Sequence, residues 1–226
     1  YAFGASRKNI SRGIKRTMNQ LLLKAVEPYW IYDYEVAQKL DPDHELLRRL
    51  AKGLKLIQIR IKSLSGDALR AQAKQYRGAI KEANPSCAVI MNDHIDICQD
   101  FAFDGVHLGQ GDESVVEARK VLGKEAIVGL TVRSIKEAKE ASVLIEDGSV
   151  DYIGVGTVFE TTTKQGLVAK GPGFIEEVFT LVDTEKVYPI GGINKDNLSK
   201  LKGIGVRHVA LCSELYTNPE LKDYCG

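Results

Sequence analysis

CAVIMNDHIDICQDFAFDGVHLGQGD, running from Cys87 to Asp112, holds two apolar runs with a short helical pattern between them. The first run ends in Asn92-Asp93, the helical pattern covers Ile95 to Phe101, and the second run, from Gly105 to Leu108, ends in Gly-Gln-Gly-Asp112. Neither run alternates polar with apolar residues, so neither has a face for water, and strand, helix and strand in succession imply a parallel sheet. In parallel α/β proteins the residues just past the carboxyl ends of strands gather on one face, which brings Asp93 and Asp112 together. Two converging carboxylates suit a hard cation such as Mg²⁺, which takes one or two of them and completes its shell with water and substrate phosphate. The alternative is that each aspartate caps the helix that follows it.

Outward from this stretch the same alternation fills the chain. Strand-like runs cover Tyr29 to Tyr32, Leu54 to Ile61, Ala88 to Met91, Val106 to Leu108, Ile127 to Leu130, Tyr152 to Val155, Val187 to Ile190 and His208 to Leu211. Helical patterns separate them at 44–52, 66–83, 95–101, 114–122, 135–145, 174–181 and 195–202, with a last short one at 213–221. Strand-helix units repeating at about 25 residues close a barrel when there are eight of them. An open doubly wound sheet fits less well, because the first strand-to-helix turn has no GxGxxG fingerprint. The expected fold is one (β/α)8 TIM barrel over residues 27–226, preceded by an N-terminal helical extension at 1–26. That extension carries Arg7, Lys8, Arg12, Lys15, Arg16 and Lys24 with no acid before Glu27. Ile14, Met18, Leu21 and Leu22 place one apolar stripe on it, suited to closing the barrel floor or meeting a second copy in a homodimer.

Across 226 residues, 31 basic and 30 acidic side chains nearly cancel. The whole-chain balance therefore points away from nucleic acid and anionic membrane as partners, and an anionic ligand must be held by local charge. No apolar run approaches the roughly 18 residues that span a bilayer, and the first residues lack a secretory pattern, so the expected location is the cytoplasm. Cys87, Cys98, Cys212 and Cys225 form no CxxC pair and read as reduced structural thiols, with neither zinc nor a disulfide framework expected.

The strand ends carry the chemistry. Gln58-Ile-Arg60-Ile-Lys62 alternates long polar and apolar residues, which puts Gln58, Arg60 and Lys62 on one face. Buried cations need partners, either a bound diphosphate or the acids of neighbouring strands. After the sixth strand, Thr161, Thr162, Thr163 and Lys164 form a loop whose hydroxyls and backbone N–H groups suit phosphate oxygens. Gly191-Gly192 after the seventh strand and Cys212-Ser213 after the eighth stand where such barrels hold phosphate, although ordinary tight turns also explain the glycines. No strand-end cysteine, serine or lysine is paired in the sequence with an evident base, so a protein nucleophile is not expected.

Taken in order, QxRxK, ND, DGVHLGQxD, the FxTxTK loop, GGI and a terminal CysSer resemble the thiamine-phosphate synthase (thiamine-phosphate pyrophosphorylase) family from Gln58 to Ser213. The resemblance implies a TIM barrel that joins hydroxymethylpyrimidine diphosphate to thiazole phosphate, in plain or carboxylated form, with small molecules as its partners. It implies that Gln58, Arg60, Lys62, Asn92 and Lys164 hold the pyrimidine diphosphate and that Asp93 and Asp112 hold Mg²⁺. Thr161, Thr162, Thr163, Gly191, Gly192, Cys212 and Ser213 then hold the thiazole phosphate. Arg60, Lys62, Lys164 and Thr131 stabilise the leaving diphosphate as catalytic groups, Thr131 standing where the family usually shows the serine of Gly-x-Ser.

The chain departs from the family pattern at Thr157 and Glu160, both commonly proline. Thiazole tautomerases share the architecture but typically place a histidine two residues after the Gly-x-Ser hydroxyl, where this chain has Arg133, so the synthase pattern fits better. A barrel that binds phosphate without turnover does not explain why both aspartates and all the cations are kept. His107, inside the fourth strand, reads as a hydrogen-bonded core or rim histidine.

Overall fold

The apolar runs are enclosed on both faces, one inside a closed sheet and one beneath helices. The computed structural model describes residues 28–161, 166 and 168–224. Strands β1 (Tyr29–Asp33), β2 (Leu56–Arg60), β3 (Ala88–Asn92), β4 (Gly105–Leu108), β5 (Ile127–Val132), β6 (Tyr152–Gly156), β7 (Val187–Ile190) and β8 (Ala210–Leu211) pair in parallel in chain order. The closing pair is β8 with β1, Tyr29 opposite Ala210. Around this barrel run α1 (Tyr34–Leu40), α2 (Glu45–Ala51), α3 (Gly66–Ala83), α4 (Ile95–Asp100), α5 (Val115–Leu122), α6 (Ile135–Glu146), α7 (Gly171–Phe179), α8 (Leu198–Lys202) and α9 (Glu214–Thr217). The chain is thus the (β/α)8 TIM barrel that its periodicity implies; the extension at 1–26 lies outside the described residues.

One helix was not foreseen. The first strand runs one residue past Tyr32 to Asp33, and α1 follows at once, because the Asp33 carboxylate accepts the Val36 N–H at 3.2 Å and caps it. The expected 44–52 helix is α2, which starts where Asp41 takes the Leu46 and Leu47 N–H groups at 2.9 and 3.0 Å.

Alternate residues divide the core. Tyr29, Ile31, Leu56, Ile90, Ile127, Tyr152 and Tyr188 fill the barrel, whereas Trp30, Tyr32, Ile57, Ile59, Val89 and Met91 pack against the helices. At the amino-terminal rim, Asp104 and Asp151 repeat one device. Each accepts the first N–H groups of a neighbouring strand, from Val89 and Val128 at 2.8 Å, and pairs with a helix cation, Lys81 or Arg119. The barrel floor is thereby tied to its outer helices.

Large aromatic rings fit inside only where a neighbouring strand yields space. Gly129 on β5 lies opposite Tyr152 on β6, and a Cβ there would stand 2.3 Å from the Tyr152 ring and 2.4 Å from His107 Nδ1. Gly129→Ala is therefore expected to lower stability by about 1–3 kcal/mol. The measurement is urea unfolding: a lower midpoint at unchanged slope is expected, and an unmoved midpoint would show slack in this layer.

Candidate active site

The carboxyl ends of the strands surround one cavity whose floor is a chain of buried hydrogen bonds. Gln58 Nε2 donates to the Tyr29 hydroxyl, which hydrogen-bonds the Tyr152 hydroxyl at 2.7 Å. Tyr152 meets His107 Nδ1 at 3.0 Å, and His107 Nε2 meets Thr131 Oγ1 at 3.0 Å. Burial pushes the Tyr29 and Tyr152 phenols up, so both stay neutral. His107 is a hydrogen-bonded rim histidine, as its place in β4 implied, and Thr131 ends the chain facing the cavity.

Gln58, Arg60 and Asn92 line this cavity from β2 and β3. Arg60 pairs with Asp33 at the end of β1 and lies 3.9 Å from Glu35. Its Nε is nonetheless buried with no hydrogen-bond partner among the described residues, as is Asn92 Nδ2. Two unmet buried donors facing a cavity are costly unless a ligand supplies acceptors. Lys62 lies beyond the end of β2 and is exposed, rather than continuing the strand face with Arg60. Glu35 accepts the Lys62 and Ser63 N–H groups at 3.2 and 2.8 Å, and the Lys62 ammonium turns onto Asp93. Both cations thus have acidic partners at the rim, Arg60 with Asp33 and Lys62 with Asp93, as the alternative based on neighbouring acids anticipated.

Asp93 and Asp112 meet, and neither caps a helix. His94 precedes α4 without a side-chain cap, while Ser114 caps α5 by accepting the Glu117 N–H at 3.1 Å. Asp93 sits in the left-handed region at φ 66°, a conformation aspartate tolerates better than most residues. Burial lifts the Asp93 carboxyl above the usual carboxylate range; the Lys62 ammonium opposes this and the hydrogen bond to Asp112 adds to it. Partial burial also acts to raise Asp112, but the hydrogen bond from Asp93 and the Gly109 N–H, donated at 2.6 Å, hold it below the usual range. Two adjoining carboxylates repel one another when both are ionised, a cost that a cation between them relieves. Among the described residues no group of three or more His, Cys, Asp or Glu side chains forms a metal cage. A carboxylate pair fits Mg²⁺ all the same, since that ion keeps waters and takes substrate phosphate.

On the opposite side Thr161, Gly191, Gly192, Cys212 and Ser213 line the cavity. Thr162, Thr163 and Lys164 lie outside the described residues. The β6 loop runs against the end of β7, with Val158 and Phe159 N–H groups donating to Ile190 and Gly191 carbonyls at 3.0 and 2.9 Å. Gly192, at φ +63°, allows this approach, because a Cβ there would meet the Glu160 carbonyl at 2.2 Å. Sequence reading passed over Tyr29, Tyr152, Asp33 and Glu35. Asp33, an acid closing an apolar strand, was the detectable signal among them.

The family model described as thiamine monophosphate synthase matches residues 29–215. The chain is 34% identical over 195 residues to a thiamine-phosphate synthase of Persephonella marina, covering 86% of this chain and 90% of that protein. It is 34% identical over 170 residues to one of Prochlorococcus marinus, covering 75% of this chain but only 47% of that longer protein. A solved structure, thiamine phosphate pyrophosphorylase from Pyrococcus furiosus, superposes with a TM-score of 0.71 at 27% identity over 90% of this chain and 93% of its own.

The raised Asp93 carboxyl sets a pH test. A carboxyl whose folded-state pKa is raised contributes stability below its ordinary range and loses it as pH rises through the folded value. Asp93→Asn keeps the left-handed backbone and a donor toward Asp112, so at neutral pH it is expected to unfold at higher urea than the parent. That advantage should vanish as pH falls below the ordinary aspartate range. A difference independent of pH, or of opposite sign, would contradict the raised Asp93 carboxyl.

Proposed function

Since this chain belongs to the thiamine monophosphate synthase family, we propose that it condenses hydroxymethylpyrimidine diphosphate with thiazole phosphate, releasing thiamine phosphate and diphosphate. Support comes chiefly from the unmet buried donors Arg60 Nε and Asn92 Nδ2 beside the joined carboxyls of Asp93 and Asp112. An anion that brings its own cation satisfies both at once. The proposed small-molecule partners need no membrane, and no helix among the described residues is long and apolar enough to cross one. The proposal places the enzyme in the cytoplasm, with a homodimer as its assembly.

In this mechanism Gln58 and Asn92 orient the aminopyrimidine, and Arg60 and Lys62 exchange their acidic partners for diphosphate oxygens. Lys164 and the Thr131 hydroxyl complete that end, while Thr161, Thr162, Thr163, Gly191, Gly192, Cys212 and Ser213 hold the thiazole phosphate. Asp93 and Asp112 would hold Mg²⁺, which supplies neutralisation of charge on the leaving diphosphate. With Asp93 so engaged, the Lys62 ammonium that now pairs with it would turn to the substrate's phosphate oxygens. The aminopyrimidine stabilises positive charge at its methylene, so the C–O bond breaks first and diphosphate leaves with the bonding pair. The thiazole nitrogen then donates its lone pair to the methylene carbocation. The cations act on the leaving group, where charge grows most between ground and transition state.

Mixing the two phosphorylated heterocycles with Mg²⁺ and the full chain should release diphosphate, and Asp112→Ala should slow turnover by about 10²-fold. Binding of both compounds without any release would replace the enzyme by a ligand sensor. A second assay addresses the order of bond changes. With trifluoromethyl in place of the pyrimidine methyl group, the single-turnover rate is expected to fall by at least about 10²-fold, near 2.7 kcal/mol of barrier, at similar affinity. Rates within a few-fold of each other would mean direct displacement.

A further inference from the structure

Arg133 follows β5 directly, two residues beyond Thr131 and so on the same side of the chain, and it lines the cavity mouth. The other described cations of the strand-end site are matched by acids, Arg60 by Asp33 and Lys62 by Asp93. The Arg133 guanidinium makes no ion pair with any described carboxylate. The acid nearest in sequence is committed elsewhere: Glu137 accepts the Arg133 backbone N–H at 2.6 Å, while Ser134 Oγ accepts the Glu137 N–H at 3.1 Å. This reciprocal cap fixes the Arg133 backbone at the start of α6 and leaves its side chain exposed.

The position is a poor one for helix stability. A cation before the first turn of the 12-residue α6 opposes the positive end of the helix dipole, where an acid would be favoured. Fixed backbone, exposed guanidinium and unfavourable dipole together indicate a group that waits for an anion. Its side of the cavity identifies which one. Gln110 Nε2 donates to the Thr131 carbonyl at 2.7 Å, which ties the loop bearing Asp112 to the end of β5. The Gly191-Gly192 and Cys212-Ser213 turns follow β7 and β8, further round the barrel.

Resting on the proposed reaction, we infer that Arg133 is a further anion-binding residue for the diphosphate, closing its site on the side opposite Arg60. Its planar fork would grip the group that leaves and hold it after the C–O bond has broken.

The test is calorimetric titration of the full chain with inorganic diphosphate, with and without Mg²⁺, beside thermal melting. Arg133→Gln is expected to weaken diphosphate binding by about tenfold, as loss of a charged hydrogen bond implies. Arg133→Lys should fall between, since it keeps the charge but not the fork. Melting of Arg133→Gln should be unchanged or higher, because the dipole clash is relieved. Equal affinity in wild type and Arg133→Gln would remove the inference alone, as would weaker binding accompanied by a lower melting temperature, which marks a structural role. A loss seen with 4-methyl-5-(2-phosphoethyl)thiazole and not with diphosphate would also overturn it. A wild-type chain that takes up no diphosphate would remove the proposed function as well.

Discussion

The hydroxyl of Tyr152 hydrogen-bonds with Tyr29 at 2.7 Å and with His107 at 3.0 Å, and through it five strands share one line of hydrogen bonds. Below that line the barrel is filled by Ile and Leu side chains and by rings packed edge to face, such as Tyr29 against Tyr188 with centroids 5.7 Å apart. Above it are the cavity and its charged rim. Eight strands leave room for side chains and no more, so every polar group inside needs a partner within the same layer. The chain of Gln58, Tyr29, Tyr152, His107 and Thr131 meets that requirement and supports the ligand site from beneath.

At the rim the same accounting applies to charge. Arg60 and Lys62 are held by Asp33 and Asp93, so the charge of these two cations is largely neutralised within the rim. An arriving anion with its own cation exchanges one set of pairs for another, which costs less than stripping bare ions of water. Arg133 stands outside this arrangement, its backbone fixed by Glu137 and its guanidinium exposed.

The outer helices take part through their first residues. Asp33 ends β1, caps α1 and pairs with Arg60, while Glu35, in the first turn of α1, holds the backbone of Lys62 and Ser63. The short helix therefore sets the position of a cation 27 residues further along the chain.

Much of this was legible in the amino-acid order. Continuous apolar runs separated by helical patterns required parallel strands, and their repetition required closure, because local periodicity is written residue by residue. Gln58, Arg60, Asn92, Thr131, Thr161, Gly191, Gly192, Cys212 and Ser213 could be selected as strand-end residues, and all line one cavity. For Asp93 and Asp112 the strand ends allowed either a meeting or two helix caps, and the structure shows the meeting. Tertiary structure decided which cation met which acid, and the Tyr29–Tyr152 contact across 123 positions. Those pairings depend on the stagger of a closed sheet and on the side from which each ring enters, and neither leaves a periodic trace in the sequence.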